Sequence, residues 1–461
     1  MRLMSWLAGK DLLMKIGAAL IVVLAALALA RGSRADPQSP PAQEPPDPLG
    51  NLVVTPGAGR PLPKLGIVPS ISPDFADVLL RSVVQRDLDL CGELELLPDR
   101  AAPDGAYSGD PAIDVEAWGK KGVEAVVRVA ATTSGDEVSI LAQAFLVKKG
   151  NTPIFDWKAK AAVSGLRGES HRLADLLIGA LTGQNGGFYS RMTFTSGQGS
   201  IRFAYVMDAD GHDTHTVSSP QEVAIDSAFG KNGDVYWVSG VGDDPYEIRS
   251  FKGPISLPIR GSVYGLAFSP DRTGVAVSLG TVESIQVFTG ADLGSLRRAS
   301  DVKRAIDPTF TPGGKVAYSG AGATGQRIYV GDKPITPEGV FAVSPTFCNH
   351  PDGVFLIFAA GAGKNTDLVR TGEQGGPLFR LTVGQGSNGH PACSPDGRLV
   401  AFFSTRTTGE GPGLYIMRVD GRRPKRVSTL LGSSLAWAPL PPPPARAAPV
   451  PVAVPTGQNT N

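Results

Sequence analysis

The chain has 461 residues, with 44 basic and 43 acidic side chains that leave a net charge of +1, and only 7% of its residues are aromatic. No Lys/Arg cluster interleaves with aromatics, so nucleic acid is a poor partner. Its 57 glycines and 39 prolines suit a turn-rich β protein with extended ends, and the length allows two domains.

Ile16 to Ala30 is an apolar run of 15 residues behind Lys10 and Lys15. It falls short of the ~20 residues that span a bilayer comfortably, and it ends in the small-x-small pattern Ala28-Leu29-Ala30. Residues 1–35 therefore read as an export signal, cleaved after Ala30 or, in Ser33-Arg34-Ala35, after Ala35, rather than as an anchor. Met14-Lys15 opens a more compact signal than Met1 does, which leaves two possible starts. No Cys follows the run, so a lipid-modified N-terminus is not indicated. Residues 36–50, rich in Pro, Gln, Ala and acidic residues, cannot bury enough apolar surface to fold and read as a tether.

Residues 51–186 carry a mixed pattern that predicts a small α/β domain. Leu65-Gly66-Ile67-Val68 is a short strand, and Asp74 to Leu88 places Phe75, Val78, Leu79 and Val83 at helical spacing after a good helix start. A second helix is expected over Asp114 to Lys121, strands over Val123 to Val129, Glu137 to Leu146 and Pro153 to Lys158, and a last helix over Glu169 to Leu181 before Thr182-Gly183. Helices on one side of a small sheet would bury one core.

From 187 to 440 a repeat takes over. Ala267-Phe268-Ser269-Pro270-Asp271, Thr309-Phe310-Thr311-Pro312-Gly313-Gly314, Asn349-His350-Pro351-Asp352-Gly353, Ala392-Cys393-Ser394-Pro395-Asp396-Gly397 and Ala436-Trp437-Ala438-Pro439-Leu440 space their prolines 39 to 44 residues apart. A proline-free copy, Ala228-Phe229-Gly230-Lys231-Asn232-Gly233, precedes them. Proline presets φ for a tight turn, and Asp and Gly accept the positions after it. Short strands follow the turns, at Val235 to Val238, Gly274 to Val277, Lys315 to Tyr318, Val354 to Phe358 and Leu399 to Phe403. A period near 40 residues holding several strands predicts a β-propeller whose first strands, just upstream of each turn, line a channel. Arg191 to Thr195, Ile201 to Asp208 and Thr214 to Val217 lack a preceding turn, whereas Leu435 to Pro439 has a strand and turn with nothing after. The C-terminal strand is thus expected to complete the blade begun at Arg191, making six blades with no unpaired inner edge. Residues 441–461, Pro-Ala-Val-rich, read as a polyproline-type tail.

A search for chemistry yields little. His212 and His215 sit near Asp208, Asp210 and Asp213 in a polar hairpin that could bind a metal or simply solvate a turn, the turn being preferred. Gly361-Ala362-Gly363-Lys364-Asn365 lacks the spacing of a phosphate loop, and no Gly-x-Ser-x-Gly elbow exists. Cys348 and Cys393 lie at neighbouring-blade positions and could pair, but buried free thiols, as for Cys91, are the expected state.

In order and content, residues 50 to 440 resemble the TolB family, the soluble periplasmic component of the Tol-Pal system. Asp114-Val115-Glu116-Ala117-Trp118-Gly119-Lys120-Lys121-Gly122-Val123 resembles its helix-to-strand segment, and Leu181-Thr182-Gly183 with Phe188-Tyr189-Ser190-Arg191 its junction into the propeller. The family's Trp-Ser-Pro-Asp-Gly turn is eroded, intact only as Ser394-Pro395-Asp396-Gly397, with Trp only at Trp437. The resemblance implies a six-bladed β-propeller behind an α/β domain, in a periplasmic adaptor without catalysis, cofactor or metal. It implies that the channel mouth receives the peptidoglycan-associated lipoprotein (Pal) and that the N-terminal segment contacts TolA. The corresponding strand starts hold Asp226, Tyr264, Asp307 and His390, with Asp307-Pro308-Thr309-Phe310 resembling the family's acidic residue before Pro-Thr and an aromatic. The alternative is a propeller binding a peptide or glycan, or a divergent hydrolase or lyase.

Overall fold

The computed structural model describes residues 61–110 and 112–441. The expected signal (1–35), the tether (36–50), the choice of Met1 or Met14 and all but the first residue of the tail lie outside the described residues.

The first layer is a five-stranded sheet in the order β2-β1-β3-β4-β5, made by β1 (Lys64–Ile67), β2 (Glu95–Leu96), β3 (Ala125–Ser134), β4 (Glu137–Leu146) and β5 (Pro153–Ala162). β1 runs parallel to β2 and β3, while β3, β4 and β5 are antiparallel neighbours. Helix α1 (Phe75–Leu90) starts where expected because Asp74 caps it, accepting from the Ala76 amide at 2.9 Å. The same carboxylate accepts from the Thr133 amide at 2.7 Å, which pins the helix start to β3. α1 and α3 (Leu166–Thr182) pack on one face, burying Leu80, Val84, Leu88, Leu173 and Leu177 against Val127, Val129 and Ile140.

The short helix α2 (Val115–Lys120) departs from the one-sided packing expected. Its Trp118 is buried with Val68, Val123, Val126 and Phe145, and Val126 faces away from Val127 and Val129 because strand side chains alternate. The sheet is therefore covered on both faces. Gly66 on β1 makes room for the indole, since a Cβ there would lie 2.4 Å from Trp118 Cζ3.

Among the described residues beyond 190 the regular structure is β-sheet apart from a 3-10 turn at Lys231–Gly233. One eight-stranded sheet contains Arg191–Gln198, Ile201–Asp208, His215–Thr216, Val223–Phe229, Val235–Gly240, Glu247–Ser250, Gly253–Ile255 and Ser433–Trp437. Its two halves meet at one parallel pair, Arg202 with Val223, and its C-terminal strand pairs antiparallel with Arg191–Gln198, as the strand count in the sequence predicts. Four four-stranded sheets follow, opened by Ser262–Phe268, Ile306–Phe310, Ala342–His350 and Asn388–Cys393. These four strands, with Val223–Phe229 and Ser433–Trp437, neighbour one another in chain order, and the last neighbours the first. The arrangement is β-propeller-like. Cys348 and Cys393 form a disulfide rather than free thiols, because their strands adjoin and bring the Cα atoms to 5.3 Å, within the span a disulfide needs; Cys91 is free and buried.

The α/β region shares an apolar core cluster with the sheets, and charged contacts add to it. Arg167 binds Asp208 at 2.6 Å and Asp210 at 2.7 Å, and Arg86 donates to the Asp210 carbonyl at 2.8 Å. His171, 3% exposed, bonds Asp87 at 2.7 Å. Burial alone would lower the pKa of His171, but Asp87 and Asp208 hold it up to about 10. Burial pushes Asp87 up to about 6, so both partners are charged at neutral pH.

Two outcomes follow from this packing. Gly66→Ala is expected to cost about 1–3 kcal/mol by overpacking against Trp118, read by urea denaturation. His171→Gln is expected to destabilise, and because the folded pKa of about 10 lies above the ordinary 6.5, the gap to wild type is full below pH 6.5 and closes as pH rises through about 10. Melting curves across that range check it.

Candidate functional site

The six adjoining strands surround a cavity of about 390 Å³. Each of them carries a register shift, at Asp226/Ala224, Val263/Gly265, Ile306/Thr309, Val343/Thr346, Gly389/Ala392 and Ser433/Ala436. A bulge sets two residues against one on the partner strand and re-aims the side chain there. Four bulge residues take left-handed backbone without being glycine: Asp307 (φ 51°), Ser344 (φ 51°), His390 (φ 52°) and Ser434 (φ 53°). Three of them precede proline, at Pro308, Pro345 and Pro391. Such strain costs on the order of 1–3 kcal/mol per residue and gathers at functional sites.

The bulges bring together three of the four residues singled out in the sequence. Asp226, Asp307 and His390 line the cavity. Asp307 Oδ2 accepts from the Ser344 amide at 2.9 Å and its hydroxyl at 3.1 Å, and Ser344 Oγ lies 3.5 Å from His390 Nδ1. Asp226 Oδ2 accepts from the Leu266 amide at 2.7 Å and Oδ1 from the Ser227 amide at 2.8 Å. Each carboxylate thus ties its own strand to the next sheet. Tyr264 is not brought in: it is 41% exposed and its ring covers Gly280 rather than the cavity. Ser344 and Ser434 were missed by the sequence reading, although Ser344 carries a legible signal, an X-Pro step upstream of the turn like Asp307-Pro308 and His390-Pro391.

Electrostatics divide these groups. Burial pushes the Asp226 carboxyl up to about 7, with the charge of Asp307 adding to it and the Leu266 and Ser227 amides opposing. Burial pushes His390 below the ordinary histidine value, Asp307 opposing and Arg202 assisting, so its ring is neutral at pH 7. The cavity therefore offers hydrogen-bonding groups of graded charge: the Asp307 carboxylate, the Asp226 carboxyl, which holds its proton to about pH 7, and the neutral His390 ring. Elsewhere, His171, Asp208 and Asp210 place ligand atoms within 4.8 Å of one another, but Arg167 already binds both carboxylates. His212 bonds Asp210 at 3.1 Å and His215 the Asp213 carbonyl at 3.0 Å, each within its own turn.

Residues 52–151 match the TolB amino-terminal domain. A relative from Geobacter sulfurreducens described as Tol-Pal system protein TolB is 26% identical over 166 residues, covering 36% of this chain and 37% of that protein. One from Thiobacillus denitrificans with the same description is 30% identical over 156 residues, covering 33% of this chain and 36% of that protein. The matched part thus spans little more than a third of these curated relatives. The crystal structure of TolB from Acinetobacter baumannii superposes with a TM-score of 0.67 at 20% identity, covering 82% of this chain and 97% of that one, a likeness of fold. The resemblance to TolB read from the sequence is borne out in its amino-terminal domain and its fold.

Because the Asp226 carboxyl is raised from 3.8 to about 7, the folded chain holds a proton there that the unfolded chain has lost, and stability falls as pH rises between those values. Asp226→Asn is expected to flatten that slope, read as unfolding free energy against pH from about 4 to about 7.5.

Proposed function

We propose that this chain is a Tol-Pal system component, exported to the periplasm by a signal peptide within residues 1–35, that acts as an adaptor without catalysis. In this reading Pal enters the bulge end of the cavity and TolA contacts the N-terminal segment, serving outer-membrane integrity and constriction at division. The α/β domain occupies 51–186 and the propeller 187–440. The eight-stranded sheet counts as two blades of four strands, joined only at Arg202 and Val223, which makes six blades with the four separate sheets. Among the described residues no helix is long and apolar enough to cross a membrane.

The observation that carries the reading is the half-satisfied carboxylate of Asp307. Oδ2 is held by Ser344, while Oδ1 has no hydrogen-bond partner among the described residues. On a strained bulge that lines the cavity, Oδ1 is free to accept from a donor on an incoming loop. A charge-assisted bond in a partly desolvated site is stronger than its counterpart in water. Neutral His390 offers a second polar contact beside it on the cavity lining.

The test is capture of envelope proteins by the mature chain from solubilised membranes, with wild type, Asp307→Ala and Asp307→Asn compared and bound proteins identified by mass spectrometry. Wild type is expected to recover a peptidoglycan-associated lipoprotein, and Asp307→Ala to bind it about tenfold or more weakly. Asp307→Asn keeps an acceptor for Ser344 and controls for local folding. Capture of no envelope protein by wild type would overturn the adaptor reading, and equal capture by all three would overturn the site.

A further inference from the structure

The opposite end of the same cavity, where the Pro-Asp-Gly-like turns lie, has its own chemistry. Ser269-Pro270-Asp271-Arg272 aligns with Thr311-Pro312-Gly313-Gly314 and with Ser394-Pro395-Asp396-Gly397. The three turns close identically: the amide of Arg272 donates to the Ser269 carbonyl, Gly314 to Thr311 and Gly397 to Ser394, each at 2.9 Å. The last residue is left-handed in all three, with φ +61° at Arg272, +80° at Gly314 and +74° at Gly397. Glycine takes that backbone without penalty, whereas an L side chain is strained there by about 1–2 kcal/mol. Two repeats obey this rule. The third places arginine in the strained position and turns its side chain into the cavity wall.

The guanidinium is only half used. Nη1 donates to the Phe229 carbonyl of the preceding sheet at 2.8 Å. Nε, buried, has no hydrogen-bond partner, and Nη2 likewise makes no hydrogen bond among the described residues. Nε and Nη2 form the side-on edge of the fork that grips an oxyanion with two parallel bonds. Within this protein Arg172 uses the same edge on Glu169, with Nε at 2.9 Å from Oε2 and Nη2 bonded to Oε1. Arg272 has no such carboxylate. Two further cations flank the Phe229 turn: Arg191, whose Nη2 donates to the Gly233 carbonyl at 3.3 Å and whose guanidinium stands 5.8 Å from the Phe229 ring, and exposed Lys231 within the turn itself. None of the three forms a salt bridge among the described residues; the nearby Asp271 is turned to Ser269 and the Thr273 amide.

We infer that Arg272, supported by Arg191 and Lys231, is an oxyanion-binding site at the turn end of the cavity, taking a carboxylate or phosphate on its Nε/Nη2 edge. An unpartnered buried donor is costly to keep, and so is a left-handed arginine where glycine would serve. A bound oxyanion accounts for both, because it satisfies the donor and uses the one side chain that the strain positions. The site lies at the end away from Asp307, so it stands apart from the lipoprotein reading.

Calorimetric titration of the full mature chain with inorganic phosphate and, separately, with N-acetylglutamate tests it, using wild type, Arg272→Gln, Arg272→Gly and Arg272→Lys. Wild type is expected to bind at least one probe; Arg272→Gln and Arg272→Gly weaken it tenfold or more, and Arg272→Lys, which keeps the charge but loses the fork, weakens it several-fold. Preference for phosphate or for N-acetylglutamate identifies which oxyanion the site takes. Arg272→Gly also removes the backbone strain, so its melting temperature is expected to equal or exceed that of wild type. Failure of both probes to bind wild type would overturn the inference. So would unchanged binding in Arg272→Gly accompanied by a lower melting temperature, since Arg272 would then be a strut to Phe229 and nothing more.

Discussion

The four separate sheets share no backbone ladder with one another, and this constraint governs the β region. A strand at the inner edge of a sheet presents unpaired amides and carbonyls, and buried groups of that kind must find partners. Side chains on the bulges supply several of them. Asp226 reaches the Leu266 amide, Asp307 the Ser344 amide, and Ser434 the Ile225 carbonyl at 3.0 Å. Deeper in the sheets Ser319 reaches the Ala342 carbonyl and Thr366 the Asn388 carbonyl, both at 2.9 Å. The disulfide between Cys348 and Cys393 adds a covalent stitch just below Ser344 and His390. The bulge therefore solves a structural problem and, by the same twist of backbone, points polar groups into the cavity.

What could be read in the residues, and what could not, follows from the range of each interaction. The turns are local: proline, aspartate and glycine act within four residues, so the repeat and its C-terminal partner for Arg191–Gln198 were legible. The capped start of α1 was legible for the same reason, while β3 and β5 run several residues past the ends expected because pairing with β4 continues them. The bulges were not read, since an extra residue is defined only against the partner strand's register, which the sequence does not display. Placing Tyr264 beside Asp226 and Asp307 assumed equal register in every strand, and the shift between Val263 and Gly265 turns that ring outward instead. The second face of the first sheet was hidden too, because it depends on Gly66 admitting Trp118 from a helix some fifty residues later.

The charge network around His171 was equally out of reach, since Asp87, Asp208 and Asp210 join it from distant parts of the chain. Arg398, in the turn after Pro395, donates to the carbonyls of Gln184 at 3.2 Å and Asn185 at 2.9 Å, Arg418 pairs with Glu93 at 2.5 Å, and Lys425 with Asp89. All three cations lie at or beside turns on the side where the repeats close. The α/β region therefore stands by the turn end of the cavity, with the segment around Gly187 against Pro395.

The bulges lie four or five residues upstream of those turns, on the order of 10–15 Å along each strand. Asp307 and His390 consequently open away from the α/β region, and Arg272 opens toward it. The cavity is acidic at its free end and cationic at its guarded end, and the two ends are built on different backbone devices, a proline-followed bulge and a left-handed turn. A ligand held at the free end meets carboxylate and neutral imidazole, whereas one held at the other end meets a guanidinium fork. Coupling between the ends would have to travel through the strands that join bulge to turn, each paired on one side and linked by side chains to its neighbours on the other.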